Sequence, residues 1–393
     1  FSFNLTLYLL VKFIILLTRK LFEFILFCSF SLKNLLLVLI PIELFLPVQF
    51  IIKKLLINLL FVCVSSSLYS SENSIDDYGI ITIMYHRFEE NKYPSTNIRI
   101  SEFKQHLELI KENNIKFVNP SNFKTELNNE KNKKKILLTI DDGYASFYKN
   151  AWPILKASEI PFILFISTRE VGKKGYMSWK EINSISKYDF VEIGNHSHSH
   201  DYLIDFNNEK IKDDLKKSIS IFKEKLGRNL DFFSYPFGEY SSNLKNIVIN
   251  LGFKYAFGQH SGVVDFTKDL YEMPRFPINE KYGEIKRFKT ILKTLPFQYK
   301  HIKPQERYIG NQDNPPKVNI EFYDNLKNLK NINCFSNEED KWRNSKIHFN
   351  NNFNLDIILE GKFITERGRI NCSLKESNGF YRWLGIQFVV KEK

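Results

Sequence analysis

From residue 79 onward, short apolar segments alternate with segments of helical periodicity, and this alternation constrains the fold more than any other feature of the chain. The segments GIITIMYH, KILLTI and PFILFIST are almost wholly apolar, which is typical of strands buried on both faces of a sheet. Between such segments lie amphipathic stretches, for example NNEKIKDDLKKSISIFKEKLG. The pattern continues to residue 290, and it predicts an α/β domain with a parallel sheet, either open or closed into a barrel.

The alternation stops near residue 290, and the rest of the chain has a different pattern. Residues 291–316 are polar and contain prolines, and we expect them to form a linker. Residues 317–393 contain short strand-like segments separated by turn signals such as SNG. This pattern predicts a small C-terminal β-domain.

Residues 1–72 form an apolar leader that is interrupted by Lys, Arg and Glu. No uninterrupted apolar run in it reaches the roughly 20 residues that cross a bilayer comfortably. Residues 53–72 have a basic start, a short apolar centre and an end of small residues, which is the layout of a secretory signal peptide. We therefore expect a signal peptide at 53–70, with a membrane anchor as the alternative, and a periplasmic or extracellular location.

The net charge and the cysteine content limit which partners the protein is expected to bind and in which compartment it is expected to act. The formal net charge is +12, but the lysines are scattered among Glu and Asp, as in solvated surfaces, so we expect no nucleic-acid partner. A basic protein remains compatible with an anionic polysaccharide surface. Beyond the leader only Cys334 and Cys372 remain, and they either form a disulfide or stay as two free thiols.

The segment LLTIDDGY places Asp141 and Asp142 directly after a buried strand. Catalytic residues of parallel α/β folds lie at the carboxyl ends of strands. Two adjacent carboxylates raise each other's pKa, and a metal ion that binds one of them relieves the conflict. A solvated Asp-Asp-Gly turn is the alternative.

The segment EIGNHSHSH contains three of the eight histidines of the chain, at alternate positions. An extended strand would point His196, His198 and His200 to one face. A helical turn would pair only His196 with His200, and a polar surface turn would give none of them a role. Two imidazoles and one carboxylate are a ligand set for Zn²⁺ or a similar ion with an open coordination position.

Three motifs together resemble those of the polysaccharide deacetylases of the NodB-homology class, carbohydrate esterase family 4. They are TIDDG at 139–143, HSHSH at 196–200 and YPFG at 235–238. The resemblance covers roughly residues 79–290 and implies a distorted (β/α) barrel. It also implies a bound divalent ion, which we expect to be Zn²⁺, with Co²⁺ or Ni²⁺ as alternatives.

The resemblance implies a role for each matching residue and favours the helical-turn interpretation of the histidines. The metal ligands would be Asp142, His196 and His200. Asp141 would be the general base, and the backbone N–H of Phe237 would stabilise the oxyanion. The residues expected to bind substrate are Tyr235, Pro236 and His260.

The sequence also departs from the family's pattern. The third motif usually begins with an arginine that orients the base, but Ser234 stands there, so we nominate Arg275 in EMPRFPIN as its substitute. The usual C-terminal Leu-x-His motif is absent after residue 270. Instead MYHRF resembles the arrangement in circularly permuted members, similar to deacetylases of poly-N-acetylglucosamine, and makes His86 our candidate general acid. The alternatives are a structural role for His86 and His260 as the acid.

The predicted activity is metal-dependent hydrolysis of N-acetyl groups on an N-acetylglucosamine-type polysaccharide, with release of acetate. The first alternative is an O-acetyl esterase or cyclic amide hydrolase of the same fold. The second is a catalytically inactive glycan-binding protein. The third is a membrane protein, if the leader is a true anchor.

Overall fold

The computed structural model describes residues 78–128 and 133–391, so the predictions for the leader at 1–72 fall outside the described residues. Within these ranges, no helix combines the length and the apolarity needed to cross a bilayer. Residues Ile75–Lys393 form one compact unit, which contains both the α/β region and the C-terminal β-strands.

A curled, mostly parallel sheet forms the centre of the α/β region. Its long strands β1, β5, β6 and β7 are nearly wholly buried, because helices cover one side and the strands curl around a second apolar cluster on the other. The order of the hydrogen-bonded strands is β10-β1-β5-β6-β7-β8-β9, with β11 beside β1 and β4 beside β5. The strands are β1 Ile80–Tyr85, β2 Arg87–Phe88, β3 Asn97–Ile98, β4 Lys116–Phe117, β5 Lys135–Ile140, β6 Phe162–Ile166, β7 Val191–Asn195, β8 Phe232–Ser234, β9 Tyr255–Phe257, β10 Val263–Val264 and β11 Phe276–Pro277.

The sheet is open in the described residues, since no ladder joins β9 to β10. The predicted α/β class is confirmed, and the predicted distorted barrel is an open half-barrel. Parallel pairing from β1 through β9 aligns the carboxyl ends of β5, β7 and β8 at one rim of the sheet.

Helices connect these strands, and local signals set their limits. The longest, Asn208–Leu226, begins where the Asn207 side chain accepts a hydrogen bond from Lys210 N. It ends at Gly227, whose φ of 71° is a left-handed conformation that glycine adopts without strain. The helices are α1 Ile100–Glu112, α2 Phe123–Leu127, α3 Trp152–Ala157, α4 Trp179–Ile185, α5 Asn208–Leu226, α6 Ser242–Asn250 and α7 Ile285–Ile291.

The predicted linker at 291–316 is wrong, because this segment is built into the β-domain. Strand β12 pairs with the last strand of the chain, and β13 pairs with β15 of the second sheet. Two sheets result, with orders β12-β21-β20-β16-β17 and β13-β15-β19-β18. Their strands are β12 Thr294–Pro296, β13 Tyr299–Lys303, β14 Tyr308–Ile309, β15 Val318–Phe322, β16 Asn333–Glu338, β17 Lys341–Asn344, β18 Lys346–Asn351, β19 Asn354–Ile358, β20 Arg367–Lys375 and β21 Tyr381–Val390.

The β-domain packs directly against the α/β region through its last strand. Gly385 N donates to Ser261 O at 2.6 Å, and a Cβ atom at Gly385 would lie 2.5 Å from that same oxygen. The Trp383 ring contacts Phe276 at 6.3 Å between centroids. A side chain larger than hydrogen at 385 would push the two regions apart.

Cys334 and Cys372 form a disulfide between directly opposed residues of β16 and β20. Both cysteines are fully buried among apolar side chains of the β-domain. Of the two alternatives left open by the sequence, the structure has the disulfide.

Replacing both cysteines by alanine should lower the free energy of unfolding by about 2–4 kcal/mol, because the crosslink restricts the unfolded chain. Urea unfolding of the full chain, with and without reductant, measures this. Reductant should destabilise the parent protein and leave the double variant unchanged. A parent protein that is insensitive to complete reduction would contradict the prediction.

Candidate active site

The candidate site lies where three neighbouring strands end. Asp141 and Asp142 follow β5, and His196 follows β7. Ser234 is the last residue of β8 and leads into the loop that contains Phe237. Because the strands are parallel, their carboxyl ends bring these side chains together at one rim.

Asp142, His196 and His200 form a compact group whose ligand atoms all lie within 4.8 Å of one another. Asp142 Oδ1 is 3.3 Å from His196 Nε2 and 3.1 Å from His200 Nε2. Asp142 and His196 are buried, whereas His200 is partly exposed. The φ of 71° at Asp142 turns its carboxylate back toward the histidines, and Gly143 continues the turn.

The hydrogen bonds around these atoms fit a bound cation. Ser234 O can only accept, so His196 Nδ1 is the donor in the 2.7 Å contact between them. The Nε2 atom of His196 is then turned toward Asp142 Oδ1, at 3.3 Å. Metal-binding histidines commonly donate their second N–H to a carbonyl in this way. The donor set therefore suits Zn²⁺ or a similar ion, and the assignment of the three ligands stays a prediction.

The 196–200 segment is neither a strand nor a helical turn. Ser197 and His200 have φ values of 67° and 55°, so the chain bends sharply twice. Ser197 Oγ accepts a hydrogen bond from His200 N at 2.9 Å and closes the bend. The predicted pairing of His196 with His200 holds, but the conformation that produces it is different.

His198 lies apart from the other two histidines. Its Nδ1 is 2.9 Å from Thr168 Oγ1. The Asp214 carboxylate, on α5, accepts hydrogen bonds from the backbone N–H groups of His198 and Ser199 at 2.8 and 2.9 Å. Sequence reasoning missed Asp214, because an acidic residue on an amphipathic helix gives no local signal of a loop contact.

Asp141 is fully buried and held by Arg275, the residue nominated for the missing arginine. Arg275 Nη1 donates to Asp141 Oδ1 at 2.7 Å, and Nη2 donates to Oδ2 at 2.8 Å. Ser234 Oγ accepts from Arg275 Nη2 at 2.8 Å and donates to Asp141 Oδ2 at 3.2 Å. The small Ser234 side chain at the end of β8 thus leaves room for the guanidinium of Arg275, the residue directly before β11. The bidentate geometry fixes the orientation of the carboxylate.

The charge state of Asp141 follows from these contacts. Burial raises the pKa of Asp141, but the Arg275 guanidinium and His196 outweigh burial and hold the pKa below its usual value. Asp141 Oδ2 lies 3.9 Å from His196 Nε2, so this ionised carboxylate borders the group of predicted ligands.

The YPFG loop at 235–238 buries the side chains of Tyr235 and Pro236, two of the residues expected to bind substrate. Phe237 has a φ of 59°, and its ring stacks on Tyr202 at 4.2 Å between centroids. Tyr235 is fully buried and its hydroxyl donates to Tyr271 O, while Pro236 is also buried. The prediction that the Tyr235 and Pro236 side chains contact substrate is therefore wrong for this structure.

The two candidate acids lie in different surroundings. His86 follows β1, and burial lowers its pKa while the charges of Asp142 and Asp141 act in the opposite direction, which locates His86 near the site. Its Nδ1 has no hydrogen-bond partner among the described residues. His260 lies beside Tyr240, and burial together with Arg307 lowers its pKa to about 3.

A contact from the β-domain to the YPFG loop was also missed. Arg367 Nε, on β20, donates to Glu239 Oε1 at 2.5 Å, and Glu239 is 2% exposed. Burial raises the pKa of Glu239 to about 7, and Arg367 acts against this shift. The two residues are 128 positions apart, so no local pattern links them.

Comparisons with known proteins show what the region around the site is similar to. Residues 128–256 match the family model described as polysaccharide deacetylase. A putative polysaccharide deacetylase, YxkH of Bacillus subtilis (strain 168), is 21% identical over 199 residues, covering 50% of this chain and 70% of the relative. A poly-β-1,6-N-acetyl-D-glucosamine N-deacetylase of Staphylococcus aureus (strain MRSA252) is 26% identical over 204 residues, covering 48% and 70%.

Two solved structures share the fold. The Streptococcus pyogenes deacetylase PplD in complex with acetate superposes with a TM-score of 0.50 at 21% identity, covering 55% of this chain and 99% of that one. IcaB from Ammonifex degensii gives a TM-score of 0.50 at 24% identity, covering 55% and 97%. At these identities the two likenesses concern the fold.

Proposed function

We propose that this chain is a metal-dependent N-deacetylase of an N-acetylglucosamine polysaccharide, with a polysaccharide deacetylase domain of the NodB-homology type. One observation carries the proposal: Asp142, His196 and His200 converge beside an ionised Asp141 that Arg275 holds in place. The arrangement joins a cation site to a fixed carboxylate, and metal-assisted amide hydrolysis uses both.

The three predicted ligands would hold a divalent ion, which supplies a Lewis acid that polarises the acetyl carbonyl and lowers the pKa of a water molecule. His196 is oriented for this task by Ser234 O, and His200 by the bend that Ser197 closes. Asp142 contributes the negative charge that favours a dication over a neutral molecule.

Asp141 accepts the proton of the attacking water. Arg275 keeps Asp141 ionised and aims its oxygens, which makes Arg275 a positioning residue. The backbone N–H of Phe237 donates to the acetyl oxygen as negative charge develops there. The left-handed conformation of Phe237, which the stacked Tyr202 ring supports, fixes the direction of that N–H.

His86 protonates the departing nitrogen. An amine is a poor leaving group until it is protonated, whereas an activated alcohol leaves without help. The unpartnered Nδ1 and the nearby carboxylates support this role for His86. His260, whose surroundings include the cations Arg307 and Lys268, is disfavoured as the acid.

Replacing His86 by alanine should lower the rate on N-acetyl substrates by a factor on the order of 10²–10⁴, the usual size of general acid catalysis. Rates on an activated aryl acetate should change far less, because its leaving group needs little protonation. Metal content should stay the same. Equal losses on amide and aryl ester, or a loss seen only in His260→Ala, would contradict the role of His86.

The glycan is proposed from the relatives. The Staphylococcus aureus relative, 26% identical over 204 residues, is named for poly-β-1,6-N-acetyl-D-glucosamine. Export to the periplasm or the extracellular space is part of the proposal, and the disulfide between Cys334 and Cys372 supports an oxidising compartment.

Acetate release from three purified polymers tests the proposal: poly-β-1,6-N-acetylglucosamine, N-acetylated peptidoglycan and O-acetylated xylan. We expect acetate and a new free amine from the first. Acetate from xylan alone would replace N-deacetylation by ester hydrolysis. No acetate from any polymer or from an aryl acetate would favour an inactive glycan-binding protein.

A further inference from the structure

One face of the β-sheet that contains β20 begins at the YPFG loop and is partly exposed to solvent. Along β20, Gly368, Ile370, Cys372 and Leu374 point into the core of the β-domain. The alternate residues are partly exposed on the opposite face, as a strand with period 2 requires. These are Arg367, Arg369, Asn371 and Ser373.

Pairing across the sheet adds two exposed aromatic rings to the same face. Asn371 of β20 lies opposite Phe335 of β16. Asn337, two residues further along β16, lies opposite Trp342 of β17. Directly opposed residues share a face, so Phe335 and Trp342 join Arg369 and Asn371 there. The rings are 45% and 53% exposed, respectively. We call the surface formed by Arg369, Asn371, Phe335 and Trp342 the platform.

The inner edge of this face is fixed to the active site. Arg367 pairs with Glu239, and its guanidinium lies 5.7 Å from the centroid of the Phe237 ring. On the neighbouring strand, Gln387 Nε2 donates to Gly238 O at 3.3 Å. The β-domain thus holds two consecutive residues after Phe237, and the platform starts where the catalytic loop ends.

The chemistry of the platform suits a carbohydrate. The Arg369 guanidinium has neither an ion pair nor a side-chain hydrogen bond within the described ranges, although it is partly buried. Burial and the adjacent Arg367 lower the pKa of Arg369. Its free N–H groups and the Asn371 amide can bind hydroxyl and acetamido oxygens. Exposed aromatic rings offer flat apolar faces, which fit the flat C–H faces of sugar rings.

The size of the platform suits several sugars. From β20 through β16 to β17 the platform extends two strand separations, or about 10 Å, which is more than one sugar ring can cover. A single monosaccharide at the catalytic site would leave Phe335 and Trp342 unused. A chain that continues from the site along the sheet would cover them.

We propose that the platform binds sugars of the polysaccharide chain that lie beyond the unit being deacetylated. This inference rests on the proposed function, since it needs an extended glycan at the catalytic site. Its consequence is a preference for long substrates that depends on residues of the β-domain. The alternatives, which the test below distinguishes, are that the platform binds a protein partner or a second copy of this chain.

The test uses the double variant Phe335→Ala/Trp342→Ala, which removes both rings of the platform. The control is Tyr323→Ala, which removes an exposed aromatic ring outside the platform. Substrates are β-1,6-linked N-acetylglucosamine dimer and hexamer, and calorimetry gives their Kd for each full-length chain. We expect KM and Kd for the hexamer to rise about tenfold in the double variant, as when one interface hot spot is lost. Values for the dimer should not change, and Tyr323→Ala should match the parent.

The other outcomes overturn either the platform or the proposed function, and the controls show which of the two has failed. Equal losses on dimer and hexamer would make the two rings structural. Unchanged hexamer binding, or dimerisation of the parent that the double variant abolishes, would assign the face to another occupant. A parent that binds hexamer through these rings but releases no acetate would refute only the proposed function. A parent that binds no hexamer would refute the platform.

Discussion

Alanine at His196 or at His200 should remove the bound divalent ion and reduce deacetylation to the uncatalysed background. Each imidazole supplies one of three ligands, and two ligands hold a dication far more weakly than three. Loss of the ion removes the Lewis acid at the same time. Metal analysis of the purified variants, together with acetate release from poly-N-acetylglucosamine, measures both effects. This is the largest effect that we expect from a single substitution.

His198→Ala is the matched control, because His198 belongs to the same bend but contacts Thr168 instead of Asp142. It should keep the metal content and most of the activity of the parent. Equal loss of metal in all three variants would restore the extended-strand interpretation, in which the three histidines form one cluster.

Replacing Asp141 by asparagine should retain the metal and lower the rate by a factor on the order of 10⁴, at the upper end of general base catalysis. Asparagine keeps the shape of the side chain but cannot accept a proton. It also leaves the buried guanidinium of Arg275 without its counter-ion, which should reduce stability. Metal content, kcat and the urea midpoint should be measured on the same preparation.

Ser234→Ala provides the comparison for Asp141→Asn. It removes the hydroxyl that touches both Asp141 and Arg275, but it keeps the ion pair and the carbonyl that orients His196. We expect only a modest decrease in kcat from this variant. If Asp141→Asn lost its metal while Asp142→Asn kept it, the roles of the two carboxylates would be reversed.

The sequence could predict the placement of those candidate site residues that directly follow strands. The strands before Asp141 and His196 are short apolar runs, and parallel pairing necessarily aligns their carboxyl ends. The bend at 196–200 was not predictable in the same way. Its form depends on Asp214 from the following helix, α5, and on positive φ values at Ser197 and His200.

Contacts between distant segments account for the remaining errors. Residues 294–303 contain a proline and several polar residues, so their sequence alone does not predict strands. They form β12 and β13 because these strands pair with β21 and β15, which lie further along the chain. Tyr235 was expected to face substrate because of its position in YPFG. The Tyr235 side chain is buried because it packs against Tyr240 and its hydroxyl donates to Tyr271 O. No local sequence pattern predicts these contacts.

Removal and restoration of the metal tests the central claim most directly. The full-length protein would be treated with a chelator, dialysed, and assayed on poly-β-1,6-N-acetylglucosamine before and after addition of Zn²⁺. The account predicts no activity in the stripped protein. It also predicts that Zn²⁺ restores the release of acetate together with equal amounts of free amine. Full activity after complete removal of the metal, or acetate without new amines, would contradict it.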